Sequence, residues 1–283
     1  MRLRATALAA LLGLVLLPVA LVAAPPAHAA GPAPAQPLAI GDSFVLDSEV
    51  LGEPRRINVY RPGGDRETPL PVLYMPDGGL GEDFLHIAGL VQVGAMNGTM
   101  RPVMLVGIEN TERRRDLTGP TEVGKDREIA PRVGGSAAFR TFIADELMPE
   151  IERRYPVTGE TAIIGESLAG LFVVESLVEA PQLFDGWIAI DPSLWWNGGR
   201  LVEVAPARLQ KLAPTGGKPE RLFLASSDEA GIAVPAAALA RALADAPGLR
   251  VHHAPMPAEQ HHTIYHPAAL MALREVFAPG SGD

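Results

Sequence analysis

Ser167 stands in the run Gly165-Glu166-Ser167-Leu168-Ala169-Gly170, with a small residue two positions before it and another two positions after it. A hydroxyl is a weak nucleophile. It becomes a useful one where a tight strand-to-helix turn lifts it clear of the backbone and a nearby imidazole takes its proton. Such a turn strains the serine backbone, so bulky flanks would collide, and Gly165 and Ala169 avoid the collision. The turn also sets Ser167 at a helix N-terminus, where the amide of Leu168 is the expected first donor to a developing oxyanion.

A serine of this kind needs a base and a carboxylate to orient that base, and in this arrangement both follow it in the chain, acid before histidine. Glu259 to His266 holds His261, His262 and His266 just ahead of a helical pattern, and either His261 or His262 is placed to be the base. Asp228 and Glu229 follow the apolar run Leu222 to Ala225 and offer two carboxylates where the acid is expected. A second oxyanion donor is expected after an earlier strand, in Tyr74-Met75-Pro76-Asp77-Gly78-Gly79, with Gly78 as the residue whose bare backbone admits substrate. Asp77, Arg115, Trp195 and Trp196 lie in other loops at strand ends and are candidate substrate-binding residues.

These residues must be carried by elements that bring strand ends together. Apolar runs at Ile57–Tyr60, Pro71–Met75, Val103–Ile108, Thr161–Ile164, Trp187–Ile190, Leu222–Ala225 and Leu249–Ala254 alternate with helical spacing at Gly81–Gly94, Ala137–Arg154, Leu168–Glu179, Val234–Ala246 and Pro267–Phe277. That alternation predicts an α/β fold, a mostly parallel central sheet with helices on both faces, whose polar strand ends gather at one edge.

Composition narrows the chemistry. The chain has 283 residues, no cysteine and a formal net charge of −9. No thiol nucleophile and no thiolate metal site is available, and an acidic surface disfavours nucleic acid, which is bound by Lys and Arg. Five histidines lie at positions 252, 253, 261, 262 and 266, but no H-E-x-x-H helix is present, and a loop carrying the base accounts for the cluster more simply than a metal does. No metal and no organic cofactor is expected.

At the N-terminus Arg2 and Arg4 precede the apolar run Ala5 to Ala24 and the small-x-small site Ala27-His28-Ala29, which reads as an export signal over residues 1–29. A Pro- and Ala-rich leader at 30–40 and a single domain over 41–279 are expected to follow. Cleavage would leave 254 residues outside the cytoplasm, periplasmic or secreted, with no membrane attachment. An uncleaved anchor is the alternative, since the apolar run is long enough to span a bilayer.

Taken together, Val72 to Gly78, Val106 to Asn110 with Arg115 to Thr118, Gly165 to Phe172, Asp191 to Trp196, and His261 to Ile264 resemble the esterase family of α/β hydrolases that includes esterase D and enterochelin-type esterases. The likeness runs from about Ile57 to Phe277. It implies the α/β-hydrolase fold and ester hydrolysis through an acyl-enzyme on a small-molecule ester, siderophore-type or a small acyl ester. It also implies Ser167 as nucleophile, His261 as base and Glu229 as acid. The chain departs from the family pattern at Glu166, where His is common, at Ala169, where Gly is common, and at Asp191, where Ser is frequent. An acyltransferase would use the same residues, and a binding protein that has kept the fold is a third reading.

Overall fold

The computed structural model describes residues 35–210 and 220–280. The expected export signal, residues 1–29, lies outside the described residues. Among those described, no helix is long and apolar enough to cross a membrane.

Among the described residues eight strands form one sheet: β1 Asp42–Ser48, β2 Glu53–Tyr60, β3 Leu70–Pro76, β4 Met104–Ile108, β5 Val157–Glu166, β6 Gly186–Ile190, β7 Glu220–Ser226 and β8 Leu249–Pro255. Their order is β1-β2-β4-β3-β5-β6-β7-β8. β1, β2 and β4 pair antiparallel, and from β4 through β8 every pairing is parallel. The helices are α1 Phe84–Met96, α2 Arg113–Asp116, α3 Ser136–Phe142, α4 Met148–Arg154, α5 Leu168–Glu179, α6 Arg200–Leu209, α7 Ala230–Leu243 and α8 Tyr265–Val276. This is the α/β-hydrolase architecture that the sequence resemblance implies.

The near-continuous apolar strands are buried on both faces, as a parallel sheet under two layers of helices requires. Side chains alternate between the layers. Val72, Tyr74, Ile163, Trp187 and Ala189 pack with α5 and α7, whereas Leu73, Met75, Ile164, Ile188 and Ile190 pack with α1 and α8. α5 joins the site to the core, because the run from Leu168 to Val174 is buried in full.

Several expected boundaries differ for identifiable reasons. β1 was not expected; it is an edge strand whose apolar contribution to the core is Phe44 and Leu46. The long helix expected over 137–154 is divided by a π-helical turn at Ile143–Leu147, just before Pro149, which has no N–H to continue the ladder. α6 was also not expected; it carries an internal proline, Pro206. α7 begins four residues before the expected Val234, and α8 two residues before Pro267, which sits inside its first turn where no N–H is required.

A buried ionic cluster anchors the loop after β4. The Arg55 guanidinium on β2, fully buried, pairs with Asp116 Oδ2 at 2.5 Å and with Glu53 Oε1 at 2.7 Å. Arg115 adds bonds to Glu53 and Asp116 and, with the donation by its guanidinium as first cause, holds the Glu53 carboxyl down at about 2. Removing one partner from such a cluster strands a charge in the interior, so Asp116→Ala should lower unfolding stability by about 3–5 kcal/mol in a denaturant titration. A loss within the range of ordinary surface substitutions, about 0.5 kcal/mol, would show the cluster to be dispensable.

Candidate active site

Among the described residues four that are not glycine have positive φ, and three of them end adjacent strands: Asp77 (φ 59°) after β3, Ser167 (φ 59°) after β5 and Asp191 (φ 48°) after β6. A left-handed backbone at a non-glycine residue costs energy and persists only where the surroundings enforce it. At Ser167 the cause is local. A Cβ on Gly165 would fall 2.6 Å from the Ala169 carbonyl carbon, so β5 and α5 meet at a distance that only small residues permit. The Ser167 amide donates to the Ile190 carbonyl at 3.0 Å, and the Ser193 amide donates to the Ser167 carbonyl at 3.0 Å, which fixes the turn to β6 from both sides.

His261 Nε2 lies 3.1 Å from Ser167 Oγ, and His261 Nδ1 lies 2.6 Å from Asp191 Oδ2. The structure therefore brings together Ser167, His261 and Asp191. His262, the other candidate base, is exposed and makes neither contact. The loop that carries His261 is held by its own bonds, from the Asp228 amide to the Glu259 carbonyl at 3.0 Å and from the Thr263 and Ile264 amides to the Gln260 carbonyl at 3.0 Å.

Glu229, the expected acid, does not meet the histidine. It is exposed, and its carbonyl accepts from the Ile232 and Ala233 amides at the start of α7. The carboxylate on Nδ1 belongs to Asp191, one strand nearer the serine, and Asp228 is likewise exposed. β7 contributes the clamp instead of the acid: the Ser227 amide donates to Asp191 Oδ1 at 2.6 Å and its hydroxyl to Asp191 Oδ2 at 2.9 Å. With Asp191 wholly buried, these three bonds satisfy its carboxylate. The signal for it in the sequence was an apolar strand ending directly in Asp191-Pro192.

The Asp191 bond is the first cause that raises the His261 imidazole above its ordinary value, against partial burial, which lowers it. A neutral imidazole so placed is able to take up the serine proton, and the resulting imidazolium would face a fixed anion.

Leu168 begins α5, and its amide meets no protein acceptor among the described residues. Gly78 differs from expectation. Its amide donates to the Ile108 carbonyl at 2.9 Å and is not free. Its lack of a side chain serves close packing, since a Cβ there would lie 2.2 Å from the Ile108 nitrogen. Among the described residues the amide of Asp77, in this loop, meets no protein acceptor.

The expected substrate-binding residues divide sharply. The Asp77 carboxylate is occupied, taking two bonds from Arg113 at 2.7 Å and one from Asn110 at 2.5 Å. Arg115 is consumed by Glu53 and Asp116, as described above, and Trp196 is a core residue, 3% exposed, with Nε1 donating to the Gly119 carbonyl. Only Trp195, 42% exposed, keeps a face toward solvent. A cleft of about 590 Å³ is lined by Glu112, Arg113, Arg114, Arg115, Ala130, Pro131 and Arg132; Ser167, Asp191 and His261 are not among its lining residues, and Arg113 alone links it to Asp77. Among the described residues no group of three or more His, Asp or Glu side chains is arranged to hold a metal ion.

The chain is similar to the ferri-bacillibactin esterase BesA of Bacillus subtilis, 40% identical over 109 residues, which cover 34% of this chain and 38% of the relative. It is similar to the siderophore triacetylfusarinine C esterase of Aspergillus fumigatus, 33% identical over 197 residues, 60% of this chain and 62% of the relative. The chain thus spans less than two thirds of the length of either. Among solved structures, an IroE-like serine hydrolase from Shewanella oneidensis matches 86% of this chain and 82% of its own at 28% identity, with a TM-score of 0.75. The siderophore hydrolase EstB from Aspergillus nidulans, at 22% identity and a TM-score of 0.74 over 88% of this chain and 98% of its own, shares the fold. Residues 48–249, more than half of the chain, match the model of the family described as "Putative esterase", and the protein belongs to that esterase family.

Proposed function

We propose that this protein is a serine hydrolase of carboxylic esters, with Ser167 as nucleophile, His261 as general base and acid, and Asp191 as the orienting carboxylate. The observation that carries the reading is the unbroken line from Asp191 Oδ2 through His261 to Ser167 Oγ, at 2.6 and 3.1 Å. Siderophore-type esters are the proposed substrate class, because the similar proteins from Bacillus subtilis and Aspergillus fumigatus are esterases of such molecules. The leader pattern at residues 1–29 supports action outside the cytoplasm.

In this scheme Ser167 Oγ attacks the ester carbonyl carbon and its proton passes to His261 Nε2. The carbonyl oxygen takes the negative charge and is met by the amides of Leu168 and Asp77. The carbon–oxygen bond to the alcohol then breaks, and the departing oxygen takes the proton from His261. Water enters, gives a proton to His261, attacks the acyl carbon and releases the acid, with the proton returning to Ser167. No step requires a metal or an organic cofactor.

Ser167→Ala should remove fluorophosphonate labelling and lower ester turnover by roughly 10⁴-fold or more while leaving the unfolding transition in place. Turnover at the parent rate would sink the scheme. Asp191→Asn should lower kcat by roughly 10⁴-fold, because the imidazole loses the anion that fixes its tautomer, while Glu229→Gln stays within about threefold of the parent. The opposite ranking would return the role of acid to β7. Activity needs neutral His261, so kcat/KM should rise with pH through an ionisation above the ordinary histidine value of about 6.5. In Asp191→Asn the residual activity should rise at lower pH, since the largest cause of the upward shift is gone; an unmoved profile would detach Asp191 from the base.

A further inference from the structure

Glu166 is the last residue of β5 and the immediate neighbour of Ser167, and the reaction outlined above gives it no task. Its carboxylate is half-buried and has no hydrogen bond or ion pair with any protein group among the described residues. Within its electrostatic reach lie His261, Asp83, Asp191 and Arg113, and Tyr265 at the start of α8 feels its charge as well. Arg113, the permanent cation of that set, is turned to the Asp77 carboxylate by two bonds, so it does not neutralise Glu166 directly. A half-buried charge normally finds a partner, and one without a protein partner beside a nucleophile is available to whatever the nucleophile receives.

We propose that Glu166 is a specificity-determining residue of this site, a carboxylate that favours esters with a positive charge near the scissile carbonyl and disfavours anionic ones. The inference rests on the esterase reading. The consequence for the substrate class is specific: cationic or neutral esters, such as those with ammonium groups or charge-neutral iron chelates, are preferred over polyanionic ones. Burial first, and then the neighbouring carboxylates, lifts Glu166 to about 7 against the opposing pull of His261 and Arg113. The preference is therefore weak in acid, where Glu166 is protonated, and strong in mild base, where it is charged. The His261 imidazole, itself raised by its bond to Asp191, acts on every ester alike and cancels from a ratio of two substrates.

The test uses the folded protein and p-nitrophenyl esters of three acids matched in shape: 4-(trimethylammonio)butyrate, 5,5-dimethylhexanoate and glutarate, whose charges do not change across the range studied. Each kcat/KM is divided by the spontaneous hydrolysis rate of the same ester. The ratio of cationic to neutral ester should rise as pH increases through the Glu166 ionisation. In Glu166→Gln the same ratio at about pH 8 should fall at least about fivefold and lose its pH dependence, the size expected for one unit charge at short range in a partly wet site. Glu166→Asp should keep part of the ratio, and the glutarate ester should gain relative to the neutral one in Glu166→Gln. A ratio that is flat with pH in the parent, or unchanged in Glu166→Gln, overturns charge selection while leaving the esterase intact. Absence of both turnover and fluorophosphonate labelling with all three esters overturns the esterase reading and this inference with it.

Discussion

The close approach of β5 and α5 at Gly165 and Ala169 is the constraint on which the rest of the site depends. It forces Ser167 to φ 59°, a strain of roughly 1–3 kcal/mol for a non-glycine residue. The strain persists because α5 is driven into the core along nearly its whole length, from Leu168 to Val178, and cannot slide outward to relax the turn. Among the described residues the same approach leaves the amide of Leu168 without a protein acceptor. The position of the Ser167 hydroxyl and the open amide of Leu168 are therefore products of one packing contact. Gly170 extends it, since a Cβ there would lie 3.0 Å from the Ile190 carbonyl oxygen and would push α5 away from β6.

From that turn the order passes sideways across the sheet. Ser167 is bonded to Ile190 at the end of β6, Asp191 donates its amide to the Ala225 carbonyl at the end of β7, and Ser227 just beyond β7 returns two bonds to the Asp191 carboxylate. Each strand end is thus fixed by the next, and these bonds hold Asp191 at its positive φ. On the other side, the buried Arg55–Asp116–Glu53–Arg115 cluster holds the loop after β4, and with it the Arg113 that grips Asp77. The ionic cluster lies outside the line of reacting atoms, yet it determines where one wall of the cleft stands.

Much of this was legible in the residue pattern, and the failures have a common physical form. Apolar runs located seven of the eight strands, and the small residues around Ser167 located the turn, because both signals are local and arise from sterics or burial. His261 was separable from His262 only through resemblance to a family pattern, since the direction in which a loop side chain points depends on bonds such as Thr263 to Gln260 that spacing does not reveal. Glu229 was expected as the acid because it follows β7, whereas the bond to His261 is made by a residue after β6. Gly78 and Trp196 were assigned to the site by residue type, and long-range contacts with Ile108 and Gly119 occupy the relevant N–H of each. For the acid, for Gly78 and for Trp196 the missing information was a contact between segments distant in the chain.

The placement of the acid has an energetic consequence of its own. Two unit charges 4 Å apart interact by about 1 kcal/mol in water and by about 4 kcal/mol at the effective dielectric of a protein near its surface. Asp191 is wholly buried and touches the imidazole, while Glu229 is exposed and acts on it only through space, the last of the influences that raise His261. An exposed carboxylate after β7 would be screened by solvent and would lose side-chain entropy each time it oriented the ring. On β6 the carboxylate is already desolvated and fixed by Ser227, so little reorganisation is required when the imidazolium forms. The arrangement leaves Asp228 and Glu229 beyond β7 without a contact to the imidazole, and it gathers the ionisable side chains of the site, Glu166, Asp191 and His261, on the ends of two adjacent strands and the one loop that reaches over them.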